Sequence, residues 1–430
     1  MKQPTRLGVR LLVLDHFCDQ DIGALSGARG PGDQLRSFSY EPLRREALRV
    51  FPPEVASGLE AYAKPEYEPH RLRWAGLLER YLEDEFRAFA FDVLVLPSDL
   101  FFYVREAAAA SHRLGAPVVV VQKETTISPG AMTAHAERVK LYAPPVADRM
   151  TVCSERQREF WLRAGAEAER IEVTGQPRFD VYPRMERAAA AAERPTALFF
   201  SYLVDAYHPG AGGGEPVWTR LHRQTEEGLW ELARAGWRVR IKPHPQQDFQ
   251  AEKRRLRSAA RGLRVELVDP GADARALIAA ADVVVGFQTT ALLEAMAAGK
   301  PVLYTGWDPE AARLRDNLVP LADWDDAIDV VTDAAALAPT ARGALGRPLD
   351  ERTRARRAEL VEGILGPIDG HASERALAAV RRVVDGWTAG DEERARRGRL
   401  TGLRPPLRLR RRAGQRLRNL RHSAGAKLGR

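Results

Sequence analysis

The segment Ala281-Asp282-Val283-Val284-Val285-Gly286-Phe287-Gln288-Thr289-Thr290, running on to Trp307, constrains the fold more than any other part of the chain. Its Val283-Val284-Val285 run does not alternate with polar residues, so it reads as a strand buried on both faces, the pattern of a parallel sheet covered by helices. Phe287-Gln288 makes a short loop, and residues 291–298 are rich in strong helix formers. The helix is predicted to start at Thr289 or Thr290 and to stop at a left-handed Gly299, with Pro301 barring its continuation. A strand follows at Val302-Leu303-Tyr304. Short β-branched runs alternate in the same way with amphipathic stretches elsewhere, which predicts a parallel α/β architecture. The 430 residues, 45% of them hydrophobic, suffice for two cores of ordinary domain size.

Two hydroxyls at a helix N-terminus, where backbone N–H groups are unpaired and the dipole is positive, favour an anion such as a nucleotide diphosphate. Thr289 and Thr290 serve equally well as plain helix caps. A second motif bears on the choice. Residues 237–241 read as a strand that delivers Lys242 and His244, in the sequence Ile241-Lys242-Pro243-His244-Pro245, to its carboxyl end. Open α/β sheets bind ligands at that end, so both motifs belong to one crevice, and the flanking prolines limit the travel of His244. A surface turn with a solvated Lys and His is the alternative. Only 8 of the 66 basic side chains are Lys, yet Lys123, Lys242 and Lys300 all lie in the segments that carry motifs.

These residues resemble the GT-B glycosyltransferase superfamily, and within it the capsule, teichoic-acid and surface-carbohydrate transferases, over roughly residues 90–310. A further stretch agrees, from Asp148-Arg149-Met150-Thr151-Val152-Cys153-Ser154-Glu155 to Val173-Thr174-Gly175-Gln176-Pro177-Arg178-Phe179-Asp180, similar to the one that closes the N-terminal domain of such enzymes. The resemblance implies an α/β GT-B fold, two facing Rossmann-like domains with parallel sheets, followed here by a basic C-terminal tail. It implies an activated donor in the C-terminal domain and an acceptor over the N-terminal one. Lys242 and His244 would contact donor phosphates, with Gly286, Thr289 and Thr290 cradling them and Glu294 reaching the ribose; His244 is also a candidate catalytic group.

Departures from relatives narrow the expectation. The CDP-glycerol glycerophosphotransferases carry a His-Gly pair where this chain has Val121-Gln122-Lys123-Glu124, and a DYSS-like loop where it has Gly286-Phe287-Gln288-Thr289-Thr290. The hydrolysing UDP-N-acetylglucosamine 2-epimerases carry Ser-Gly-Gly at the donor helix, which is missing here. Retaining GT-B enzymes often show two Glu eight positions apart, and the partner position of Glu294 is Gly286, which favours inversion. A sugar transferase is therefore expected ahead of a polyol-phosphate transferase or an epimerase, and ahead of a non-catalytic nucleotide-binding scaffold of the same fold. Inversion needs a base for the acceptor hydroxyl. Glu124 after the strand at 117–121, Asp99 after the strand at 91–96, and Asp15, which with His16 ends the strand at 7–14, are the candidates; each is otherwise a helix cap or a solvated carboxylate.

The expected organisation is an acceptor domain at 1–185, a nucleotide-donor domain at 195–370, a terminal helix at 371–393 packing back on the first domain, and a basic tail at 394–430. The bridge is placed at 183–195, terminal helices at 350–365 and 372–387, and a Gly-rich loop at 201–216 that closes over the donor or is a plain surface turn. The tail holds 14 of the 66 basic side chains and no acid, leaving 52 basic against 58 acidic in the body, so the net charge of +8 belongs to the tail. Leucines among its arginines suit either a basic helix on an anionic membrane surface or a tail that binds polyanions loosely. No aromatic residue follows Trp387 to stack on bases, so no specific nucleic-acid partner is expected. Cys18 and Cys153, the only cysteines, suggest neither a disulfide framework nor a metal site. A cytoplasmic enzyme, peripheral on the inner membrane face, is expected, with a nucleotide-sugar donor, a saccharide or lipid-linked acceptor and no required cofactor or metal.

Overall fold

The computed structural model describes residues 8–16, 18–123, 128–185, 194–202, 217–244, 247–312, 318–319 and 321–400. Its strands are short and mostly apolar. Strands β1 (Arg10–Asp15), β2 (Gln34–Ser39), β3 (Val93–Leu96), β4 (Val118–Val121), β5 (Arg149–Val152) and β6 (Ile171–Val173) form one sheet in the order β2-β1-β3-β4-β5-β6. Strands β7 (Thr196–Phe200), β8 (Arg238–Lys242), β9 (Val265–Leu267), β10 (Val283–Gly286), β11 (Val302–Tyr304) and β12 (Asp329–Val330) form another, ordered β12-β11-β10-β7-β8-β9. All pairings are parallel. Every residue of β3, β4, β7 and β10 is buried, as strands covered on both faces must be.

The helices are α1 (Asp19–Gly27), α2 (Tyr40–Val50), α3 (Leu59–Ala63), α4 (Glu68–Ala88), α5 (Ala107–Arg113), α6 (Pro129–Tyr142), α7 (Glu155–Arg163), α8 (Val217–Arg234), α9 (Phe249–Ala259), α10 (Ala274–Ala279), α11 (Thr290–Ala297), α12 (Pro309–Ala312), α13 (Ala334–Ala344), α14 (Glu351–Leu365) and α15 (Ala372–Leu400). Side-chain caps start several of them: Ser154 for α7, Asp248 for α9, Asp273 for α10 and Thr289 for α11. Gly299, at φ 69°, takes the left-handed position after α11 that the sequence assigned to it. No helix among the described residues is long and apolar enough to cross a membrane.

The chain divides into two compact units. The first comprises residues 1–125, 132–180 and 364–430, and the second residues 126–131 and 181–363. Each contains one doubly wound sheet, so each is Rossmann-like. The first unit is completed by the end of the chain: Ala376, Leu377, Val380 and Val384 of α15 lie in one core cluster with Leu11, Val13, Val93, Val95 and Val119. Both oxygens of Asp180 receive the N-terminal amides of α15, those of Ala372 and Ser373, at 2.8 Å. Ser154 Oγ donates to Ile364 O at 3.0 Å, and Gly366, at φ 80°, passes so near β5 that a Cβ there would lie 1.6 Å from Cys153 O. Helix α15 runs past Trp387, its expected end, to Leu400; residues 401–430, the rest of the basic tail, lie outside the described residues, as do the bridge at 186–193 and the Gly-rich loop at 203–216.

Candidate functional site

In the second sheet the chain starts at β7 and crosses to β8 on one side and, later, to β10 on the other, so the strand order reverses between β7 and β10. Carboxyl ends at such a reversal are where open α/β sheets bind ligands. Three strands deliver Ser201, Lys242 and Gly286 there, Lys242 and Gly286 standing two strand spacings, about 10 Å, apart.

Lys242 is the last residue of β8, buried at 8% exposure, and its Nζ donates to Pro270 O at 2.8 Å. Burial lowers the pKa of its ammonium, against the pull of Asp269 and Asp273. The next turn is held by Gln247, whose N donates to His244 O at 2.9 Å and whose Oε1 accepts from His244 N at 2.7 Å. Burial, and then the charge of Lys242, lowers the pKa of the His244 imidazole. Pro245 lies outside the described residues. Ser201 follows β7; its Oγ is 2.9 Å from His222 Nε2 and donates to Gln247 Oε1 at 3.4 Å. His222 is itself buried, which lowers its pKa and favours a neutral ring.

Beyond β10 the loop is anchored by aromatic packing. Phe287 is fully buried, its ring 5.2 Å from those of Tyr202 and Trp218 and 5.6 Å from that of Tyr304. The Gln288 amide fastens a second strand of chain: Nε2 donates to Val319 O and to Tyr304 Oη, both at 3.0 Å, and Oε1 accepts from Val319 N at 2.7 Å. Thr289 caps α11, its Oγ1 accepting from Ala291 N at 3.3 Å, and Thr290 is the first helical residue. Gly286 is closely packed, since a Cβ there would meet Leu292 Cδ2 at 3.0 Å. Glu294, one turn into the helix, is buried and accepts a hydrogen bond from the Tyr182 hydroxyl. Arg275 lies within electrostatic reach of both.

The strand ends of the first unit hold a different set. Asp15 ends β1, is buried, and accepts from Tyr40 N at 3.0 Å. Asp99 has no exposed surface, and its Oδ2 accepts from Val146 N at 2.7 Å and Ala147 N at 3.3 Å, so this carboxylate holds a loop. Glu124 lies outside the described residues. Next to them, Asp21 is buried and accepts from Gln176 Nε2 at 2.6 Å and Arg178 N at 3.1 Å; burial raises its pKa against the pull of Arg178.

Six of the expected site residues, Lys242, His244, Gly286, Thr289, Thr290 and Glu294, thus stand at the carboxyl ends of β8 and β10 in the second unit, while Asp15 and Asp99 stand at those of β1 and β3 in the first. Lys300, grouped with Lys242 in the sequence, is placed otherwise: it precedes β11, at the opposite end of the sheet, and its Nζ donates to Ala279 O at 2.7 Å and Ala281 O at 2.9 Å. Ser201, His222, Gln247 and Tyr182 were not read from the sequence. Only the position of Ser201 after an apolar strand signalled any of them.

No family model and no curated relative matches the sequence. Solved structures do match its fold. The chain is similar to UDP-GlcNAc 2-epimerase from Neisseria meningitidis bound to UDP-GlcNAc, at 13% identity over 87% of this chain and 100% of that one, with a TM-score of 0.50. It is similar to MnaA from S. aureus in complex with UDP, at 12% identity over 88% and 97% with a TM-score of 0.54, and to a putative UDP-N-acetylglucosamine 2-epimerase from Listeria monocytogenes, at 14% identity over 88% and 97% with a TM-score of 0.54. Identities this low speak to fold alone. With its two six-stranded parallel sheets, the chain has the GT-B fold.

Proposed function

We propose that the protein is an enzyme acting on a nucleotide-activated sugar, and that it moves the sugar, with inversion, to a saccharide or lipid-linked acceptor of cell-surface polysaccharide. The observation that carries this reading is the convergence of Lys242, His244, Ser201 and the α11 N-terminus at the strand-order reversal of the second sheet. One cation, a turn held by a neutral amide and a helix N-terminus suit a diphosphate. Lys242 and His244 contact its oxygens, Thr289 and Thr290 offer hydroxyls and backbone amides, and Glu294 exchanges its Tyr182 contact for a ribose hydroxyl. Asp15, Glu124 and Asp99 are the candidate bases of the first unit; with Asp99 fully buried, Asp15 and Glu124 lead.

The test is a thermal-shift series with UDP-, GDP-, CDP- and CMP-linked sugars, followed by incubation of the stabilising donor with a membrane extract as acceptor source. Donor consumed only when the extract is present is the expected result; no stabilisation by any donor would overturn the reading. Added EDTA is expected to leave turnover unchanged, since no divalent metal is proposed to take part.

A second reading, a nucleotide-sugar 2-epimerase, is favoured by the names of the structural neighbours. The Phe287-Gln288-Thr289 sequence at the donor helix, in place of Ser-Gly-Gly, weighs against it. UDP-N-acetylglucosamine incubated without acceptor separates the two: an epimerase converts it, and a transferase leaves it intact. We further propose that residues 394–430 hold the enzyme at an anionic membrane surface. Removing 401–430 would then abolish co-sedimentation with phosphatidylglycerol vesicles, and unchanged sedimentation would refute the idea.

A further inference from the structure

The stretch from Phe249 to Val265 carries six basic side chains and one acid, in a body that holds 52 basic against 58 acidic. The acid does not serve the whole set. Glu252 is buried and, with Glu226 of α8, neutralises Arg255 alone: Arg255 Nε donates to Glu252 Oε2 at 2.9 Å and Nη1 to Glu226 Oε2 at 2.7 Å. The helical period puts Lys253, Arg254 and Arg257 on another side of α9, and Arg261 follows in the turn beyond it. All four are exposed. Among the described residues Lys253, Arg257 and Arg261 have no ion-pair partner, and Arg254 has the N-cap Asp248 within electrostatic reach. Strand β9 is the edge of its sheet, so α9, which joins β8 to β9, lies at the margin of the unit with this basic side toward solvent. The charge continues there. Arg264 and Arg238, both exposed, stand side by side one residue before the paired Val265 and Val239. Like charges on neighbouring strands destabilise each other, and an anionic partner removes that cost.

What the face lacks decides its partner. No large hydrophobic residue between 249 and 265 is exposed, so the face offers neither an aromatic ring to stack on bases nor an apolar centre for a protein interface. Cations on a convex helix suit a flat array of anionic headgroups, which gather by lateral diffusion and need no shaped pocket. We propose that this face of α9 is the seat of the second unit on an anionic lipid bilayer, with Lys253, Arg254, Arg257 and Arg261 on the headgroups and no side chain inserted. The seat depends on residues 394–430 bringing the protein to such a surface, because four cations alone bind weakly, and what it adds is orientation. Helix α9 returns the chain from the carboxyl end of β8 to the amino end of β9. A flat α9 lays the strands of this sheet along the membrane plane, and the carboxyl ends that carry Lys242 and Gly286 open along the surface and not away from it.

The experiment titrates the full chain with vesicles of phosphatidylglycerol in phosphatidylcholine and reads the partition coefficient. One variant carries Lys253→Gln, Arg254→Gln, Arg257→Gln and Arg261→Gln. A second, matched in charge, carries Arg45→Gln, Arg73→Gln, Arg342→Gln and Arg352→Gln at exposed positions elsewhere. Each Lys or Arg at an anionic surface strengthens binding about fivefold, so the first variant should partition roughly 100-fold or more below the unsubstituted protein, and the second less than about fivefold below it. An equal fall in both variants would reveal an effect of net charge and overturn the seat. Unchanged partitioning of the first variant would overturn it too while leaving the role of the tail intact, and weakened binding to duplex DNA in its place would make the face a nucleic-acid surface. Failure of the unsubstituted protein to bind the vesicles would overturn both seat and tail.

Discussion

At the carboxyl edge of the second sheet, neutral groups tie the loops down: the Gln288 amide on Val319, the Gln247 amide on His244, the Thr289 hydroxyl on α11 and the fully buried Phe287 ring. At the same edge of the first sheet carboxylates hold the backbone, Asp15 on Tyr40, Asp21 on Arg178 and Asp99 on Val146 and Ala147, with His16 buried beside them. Both edges grow from six parallel strands. Neutral clamps fix a backbone without competing for an incoming anion, and Lys242 lies among charged neighbours, Asp269 and Asp273. Buried ionisable groups instead have their proton affinities set by their surroundings, downward for His16 and upward for Asp21. The loops of one edge are clamped by neutral groups and those of the other by carboxylates.

Four substitutions sharpen or break that contrast. The largest effect is expected from Phe287→Ala, which empties the centre of the aromatic cluster under the loop between β10 and α11 and should cost about 3–5 kcal/mol in urea unfolding. A loss below about 1 kcal/mol would mean that the ring does not anchor the loop. Gln288→Ala strands the amide and carbonyl of Val319 and should cost about 1–3 kcal/mol in the same titration; a neutral result would remove the clamp from the comparison.

The third bears on protons. His16 has its pKa lowered from 6.5 to about 4, so the folded state binds fewer protons than the unfolded chain; its stabilising contribution is present above pH 6.5 and is lost as the pH falls from there toward 4. In His16→Gln the loss of urea stability between those pH values should therefore be smaller than in the unsubstituted protein, and an equal loss would show that His16 is not held neutral.

The smallest effect on folding is expected from His244→Ala, within about 0.5 kcal/mol, because the turn is held by Gln247. Its consequence lies in binding. A nucleotide at about 100 times its Kd should stabilise the unsubstituted protein by roughly 2.7 kcal/mol, and this gain should vanish in the variant. A retained thermal shift would place the nucleotide elsewhere.

Much of this framework could be read from residue order alone. The β-branched runs located β4 and β10, the apolar run at 196–200 located β7, and the series Thr289, Thr290, Gly299, Pro301 marked both ends of α11, because caps and stops depend on a few neighbouring residues. What the sequence concealed lies in pairings across distance. Ser201 meets His222 on another element, Gln288 meets Val319, and Tyr182 meets Glu294, and no local pattern foretells such partners. Asp99 follows an apolar strand just as Asp15 does, yet its complete burial depends on the loop at 146–147 folding over it. Lys300 shares a motif-bearing segment with the β10–α11 loop yet stands away from it: a residue before a strand and a residue after one belong to opposite ends of a parallel sheet, and Lys300 precedes β11 whereas Lys242 ends β8.

The Asp180 carboxylate that receives the amides of Ala372 and Ser373 joins residues almost two hundred positions apart within one unit. During synthesis at roughly 5–20 residues per second, the first sheet must wait roughly 10–40 s after Asp180 emerges before its last covering helix exists. Through that interval the apolar surface destined for Leu377, Val380 and Val384 is open to water, while the second unit, made almost wholly of the intervening chain, is already complete. The half of the protein that starts first on the ribosome is therefore the half that finishes last, and it is the one whose exposure to chaperones and to aggregation is set by the rate of translation.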